Sequence, residues 1–140
     1  MTEFSSEVIV LIYNVTDGGF KEVQHIPTIP KEFNENNQGS TIHISSDGRF
    51  VYAANRGHNS IAVFSVNHDS GELTLVESIC TEGDWPRDFV LDPTGKFLIV
   101  VNERTSNLVL FSRDEFTGKL RLLHSDVVVP DPVCVKFLNI

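Results

Sequence analysis

The chain has 140 residues, room for one domain with a single core. Eleven Lys and Arg against nineteen Asp and Glu leave a formal charge of −8, which argues against nucleic acid or an anionic membrane surface as the main partner, because both select a basic face. With 41% hydrophobic and 21% charged residues the composition is that of a folded domain, and the longest uncharged apolar run, 8–13, is far too short to span a membrane as a helix.

At the N-terminus, Glu3 and Glu7 stand where a secretion signal would carry Lys or Arg, so a cytoplasmic location is expected. The run 8–13 is followed by the turn signal Asp17-Gly18-Gly19-Phe20, and 30–38 is a polar, Asn-containing loop. Beyond it a pattern begins that recurs. Ser46-Asp47-Gly48-Arg49-Phe50-Val51-Tyr52-Ala53-Ala54-Asn55 is answered by Pro93-Thr94-Gly95-Lys96-Phe97-Leu98-Ile99-Val100-Val101-Asn102. Gly48 and Gly95, Asn55 and Asn102, Phe64 and Phe111, and Gly71 and Gly118 are all 47 positions apart. Asp17-Gly18-Gly19-Phe20 belongs to a weaker earlier copy, displaced by about five residues, and an insertion at 30–38 accounts for the displacement. A last partial copy begins near Pro132, where Pro86 stands in the copy before.

Within a copy nothing recurs at helical spacing. The runs 89–91, 97–101, 108–111 and 120–123 are short and apolar, and several are β-branched or aromatic and apolar at consecutive positions, as strands covered on both faces require. Asp92-Pro93-Thr94-Gly95 and the stretches 103–106 and 114–118 supply the turns between them. Four strands per repeat of about 47 residues describe the blade of a β-propeller. The fold class is therefore all-β: a propeller fragment with two full four-stranded blades, 39–85 and 86–131, and partial blades at 1–38 and 132–140. Propellers close with about four to eight blades, so the chain is expected to be part of a longer one, the C-terminal part of a single propeller domain. Alternatively, it associates with copies of itself through its open blade edges.

The first strand of a blade lines the central channel, and its start lies beside the end of the second. One rim should then present Arg87 and Asp88, Asn102 and Glu103, and, from the copy before, Asn55-Arg56-Gly57-His58. Aligning the weak first copy puts Glu3 at the end of its own second strand. Arg56 and Glu3 are the candidate catalytic pair, with His58, Arg87, Asn55 and Asn102 as candidate substrate contacts. A guanidinium fork suits a carboxylate, a phosphate or a developing oxyanion, and Glu or His can activate water. The constellation suits hydrolysis of a small anionic ester or lactone. Cys80 and Cys134 form neither a disulfide framework nor a metal cluster, and His25, His43, His68 and His124 have no partners at ligand spacing, so neither metal nor cofactor is expected.

The segment from Ile42-His43-Ile44-Ser45-Ser46-Asp47-Gly48 through Asn55-Arg56-Gly57-His58-Asn59-Ser60 to Phe64 resembles the lactonase family of seven-bladed propellers, as do Gly83-Asp84-Trp85-Pro86-Arg87-Asp88-Phe89 and Pro132-Val133-Cys134-Val135-Lys136-Phe137. That family includes propeller-type 6-phosphogluconolactonases and carboxymuconate cyclases. The resemblance implies a cytosolic, metal-independent lactonase acting on a sugar lactone such as 6-phosphogluconolactone, in the oxidative pentose phosphate route. It also implies a site of one histidine, two arginines and one glutamate around the channel. Arg56 is carried over as one arginine and Glu3 as the glutamate; the histidine and the other arginine fall in blades before this chain begins. The fragment alone is then expected to be inactive. Two other readings stay open: a non-catalytic scaffold binding a protein or an acidic metabolite, and a cyclase acting on a dicarboxylic substrate.

Overall fold

The computed structural model describes residues 1–138; the last two positions of the expected final copy, Asn139 and Ile140, lie outside the described residues. Among the described residues there are ten strands and no helix. They are β1 (Glu7–Tyr13), β2 (Phe20–Pro27), β3 (Gln38–Ile44), β4 (Phe50–Arg56), β5 (Ser60–Val66), β6 (Leu73–Cys80), β7 (Pro86–Leu91), β8 (Phe97–Asn102), β9 (Asn107–Arg113) and β10 (Leu120–Val128). They form a two-stranded sheet β1-β2 and two four-stranded antiparallel meanders, β3-β4-β5-β6 and β7-β8-β9-β10.

Turn chemistry fixes the hairpins. In the β3–β4 and β7–β8 turns, Asp47 and Asp92 accept bonds from backbone N–H groups two residues on (3.0 Å each), and Gly48 and Gly95 take φ of 70° and 71°. In the β5–β6 and β9–β10 turns, Asn67 and Asp114 do the same work ahead of Gly71 and Gly118 (φ 76° and 74°). Strand β10 extends beyond the expected 120–123 to Val128. Its polar continuation hid this, and two register shifts, at Leu122/His124 and His124/Val127, carry the pairing past it.

The apolar runs serve two cores at once. Phe50, Tyr52 and Ala54 of β4, with Ile61 and Val63 of β5, pack against Phe89, Leu98, Val100, Val109 and Phe111 of the following sheet. The intervening Val51, Ala53, Ala62 and Phe64 pack back against Val8, Val10 and Ile26 of β1-β2. Alternation in a strand sends neighbours to opposite faces, so apolar residues at consecutive positions require a sheet on each side.

Polar ties cross the same gaps. The Tyr52 hydroxyl donates to the Gly118 carbonyl (2.8 Å) and accepts from Arg113 Nε (2.7 Å), whose Nη1 donates to the Gly95 carbonyl (2.9 Å). The Leu73 N–H donates to Gln24 (2.7 Å), and the Leu120 N–H donates to Glu77 (2.8 Å), at the same place in the next copy.

The first copy contributes only β1 and β2, the outer pair of a blade, since they join through Gly18 as β5 and β6 join through Gly71. Glu3 therefore does not end a strand, as the alignment had it; it precedes β1, four positions before its start, as Arg56 stands four positions before β5. Beyond Gly71 and Gly118 the two hairpins diverge. A Cβ at Gly118 would run into the Phe50 ring of the neighbouring sheet, whereas one at Gly71 meets nothing within 4 Å. Gly71→Ala should cost only the left-handed backbone, about 1 kcal/mol. Gly118→Ala adds overpacking, for a total of about 3 kcal/mol. Urea denaturation of the two variants checks the difference, and equal losses would contradict the packing described.

Candidate functional site

Two backbone bonds bring Glu3 into place without a strand: the Gly39 N–H donates to the Glu3 carbonyl and the Thr2 N–H to that of Glu7 (2.8 Å each). Gly39 has no side chain, and a Cβ there would press on the Thr2 carbonyl. So held, Glu3 Oε1 accepts from Arg56 Nη2 at 2.7 Å, and the same Nη2 donates to the Gly39 carbonyl at 3.0 Å. The Arg56 side chain is only 7% exposed, Glu3 48%. Among the described residues, Arg56 Nη1 has no hydrogen-bond partner, and Nε is buried without one.

Glu3, Arg56 and Arg87 line one cavity of about 450 Å³. Arg87 is half-exposed, with Nε 3.7 Å from Glu103 Oε2, so Glu103 pairs with Arg87 while its chain neighbour Arg104 pairs with Asp84 at 3.8 Å. The other walls come from Ser40, Thr41 and Asp88, at the starts of β3 and β7. Ser40 and Thr41 are not among the expected site residues, although the repeat could have found them, since they stand 47 positions before Arg87 and Asp88.

The remaining expected contacts are elsewhere. Asn55 and Asn102 are fully buried. Each donates its side-chain N–H to the carbonyl of a threonine ending the preceding sheet, Asn55 to Thr28 (3.0 Å) and Asn102 to Thr81 (2.9 Å). Their amides are committed to joining sheets, and neither lines the cavity. His58 is also off the wall: its Nδ1 is 2.7 Å from Ser60 Oγ, and its ring meets Phe33 of the 28–37 loop edge-on at 4.8 Å. Burial lowers its pKa and keeps it neutral.

Asp88 is the most enclosed acid of the cavity, its side chain 10% exposed. Burial opposes its ionisation, but bonds from the Val135 N–H (3.0 Å), the Thr41 hydroxyl (3.0 Å) and the Cys134 thiol, with the Lys136 charge 3.7 Å away, outweigh it and hold its pKa below the usual carboxylate value. Among the described residues no group of three or more His, Cys, Asp or Glu is placed to hold a metal ion. A carboxyl with a lowered folded-state pKa stabilises the fold above its unfolded value, about 3.9, and that stability is lost as pH falls through the folded value. Asp88→Asn should lower stability at neutral pH and flatten its pH dependence below about pH 4. Thermal unfolding between pH 2 and 7 reads this out; an unchanged acid limb would mean that Asp88 carries none of it.

A family model described as lactonase, 7-bladed beta-propeller, matches residues 1–137. The 6-phosphogluconolactonase of Bacillus subtilis is 63% identical over 139 residues, 99% of this chain and 40% of that protein. Among solved structures, a Lactobacillus plantarum protein superposes with a TM-score of 0.95 at 48% identity, covering 98% of this chain and 40% of its own. The periplasmic gluconolactonase of Pseudomonas aeruginosa superposes at 0.91 with 33% identity, covering 98% and 38%. The chain thus spans about two-fifths of the length of these relatives.

Proposed function

The chain belongs to the lactonase family of seven-bladed β-propellers, and from that premise we propose that the complete ring hydrolyses a small sugar lactone of the 6-phosphogluconolactone kind. The observation that carries the reading is the clamp at the cavity wall: a nearly enclosed guanidinium, Arg56, fixed on one side by Glu3 and keeping Nη1 unpaired. The names of the relatives, a 6-phosphogluconolactonase and a gluconolactonase, support the same substrate class.

In this scheme Arg56 Nη1 donates to the lactone carbonyl oxygen, where negative charge grows as the carbonyl carbon becomes tetrahedral. Glu3, whose other oxygen is open, takes a proton from water as the hydroxyl adds to that carbon. The tetrahedral centre collapses, the bond to the ring oxygen breaks, and the proton held by Glu3 passes to that oxygen. One water is consumed and one hydroxy acid released. Arg87, reaching into the same cavity, meets an anionic substituent of the substrate. The scheme needs no cofactor, and the likeness to a 6-phosphogluconolactonase supports a place in the oxidative pentose phosphate route and in the cytoplasm. Activity belongs to the complete ring, because in the chain alone Leu11, Tyr13 and Phe20 of the first sheet are left open.

In the complete ring, Arg56→Ala should lower kcat by about 10²–10³-fold, the loss expected for an oxyanion donor. A coupled assay against the spontaneous opening rate measures this, with thermal unfolding as the folding control. Unchanged kinetics would remove Arg56 from the chemistry. Were the unmodified ring to show no rate above spontaneous opening on any of several sugar lactones, the cavity would be a binding site for an acidic ligand instead.

A further inference from the structure

We infer that Trp85, outside the cavity, is a positioning residue that sets the orientation of the Arg56 guanidinium; the inference rests on the catalytic reading of Arg56 given above. Two donors of that guanidinium are accounted for at Nη2, by Glu3 and the Gly39 carbonyl. Its buried Nε has no hydrogen-bond partner among the described residues. What the group meets instead is the indole of Trp85, whose ring centroid lies 5.5 Å from Arg56 Cζ. An aromatic face attracts a cation without supplying an acceptor atom. It therefore holds the guanidinium while leaving Nη1 unpaired.

The indole is itself held firmly. Arg104 stacks on it with Cζ 3.6 Å from the ring centroid. The backbone of Trp85 is tied as well: its amide N–H donates to Asn59 Oδ1 (2.9 Å) and its carbonyl accepts from the Glu103 N–H (3.0 Å), so the turns that follow β4 and β8 grip it from two sides. These bonds keep Trp85 at φ 69°, a left-handed conformation that bulky residues seldom adopt.

The fold does not call for an indole at this position. Asp131-Pro132 follows Trp85-Pro86 by 46 positions, one short of the repeat, and Asp131 takes the same left-handed backbone, at φ 45°, with a small side chain. These two copies share the backbone conformation, and the aromatic ring stands in the one where a guanidinium lies next to it.

Two substitutions in the complete ring test the assignment. Trp85→Phe keeps an aromatic face, and Trp85→Leu keeps apolar bulk without one. Leu should lower kcat about five- to tenfold with little change in KM, whereas Phe should restore kcat to within about twofold of the unmodified ring. The Arg56 Nε–H proton resonance gives a second readout that does not depend on turnover. The ring current should shift it upfield in the unmodified protein and in the Phe variant, and the shift should vanish in the Leu variant. Equal kcat in all three proteins, or an Arg56 resonance indifferent to Leu, overturns the inference. Loss of kcat and KM together in both variants, in step with a loss of folded protein, also overturns it by reducing Trp85 to a structural role. If the unmodified ring hydrolyses no lactone, the catalytic reading of Arg56 fails, and the resonance still decides whether Trp85 orients it.

Discussion

No sheet in this protein can bury its own apolar residues. Every position of β4 is buried, and β4 and β5 send their side chains alternately into two cores, one shared with the sheet before and one with the sheet after. Such a strand is satisfied only between two neighbours, and each neighbour carries the same demand outward. That demand converts a linear repeat into a stack of blades. It also decides where polar groups meet, because the first strands of successive blades must lie side by side. Thr41 of β3, Asp88 of β7 and Val135 are each 47 positions apart, and Asp88 bonds to both of the others. A single carboxylate thus ties three successive inner segments together at the cavity.

The remaining ties are placed at other distances from that inner row. Asn55 and Asn102 join sheets at the ends of β4 and β8, Tyr52 and Arg113 do so at the opposite ends of the blades, and Gln24 and Glu77 link the outermost strands. Each such bond contributes on the order of 1 kcal/mol, and more when the donor is charged. The Arg113 side chain is only 3% exposed, and its partners Tyr52, Gly95 and Asp47 all come from turns or strands of the two large sheets. The asparagines are spent on these ties, and the charged groups that line the cavity are instead Glu3, Arg56, Arg87 and Asp88.

The fold was legible in the sequence because each hairpin needs a residue with positive φ at the same place, so Gly48 and Gly95, and Gly71 and Gly118, mark the period without any alignment. The first copy was faint because only its two outer strands are present. Arg56 and Arg87 were legible as neighbours because Arg56 ends β4 and Arg87 stands at the start of β7, whereas Glu3 reaches the same cavity from outside any strand. The misread contacts share a cause: their partners come from another copy or from the insertion. Thr28 and Thr81 take up the asparagine amides, and Phe33, in a loop without counterpart in the other copies, covers His58. A residue's own neighbourhood in the chain does not contain that information.

The insertion also constrains a position far from it in sequence. Gly57 has φ 109°, and a Cβ there would collide with the carbonyl of Asn36 in the 28–37 loop. In the next copy the equivalent position is Arg104, no comparable loop intervenes, and the side chain is present and lies on Trp85. The long loop and the bare glycine thus constrain each other: a side chain at 57 requires both a shorter loop and a turn rebuilt on ordinary backbone angles, so neither site can change without the other.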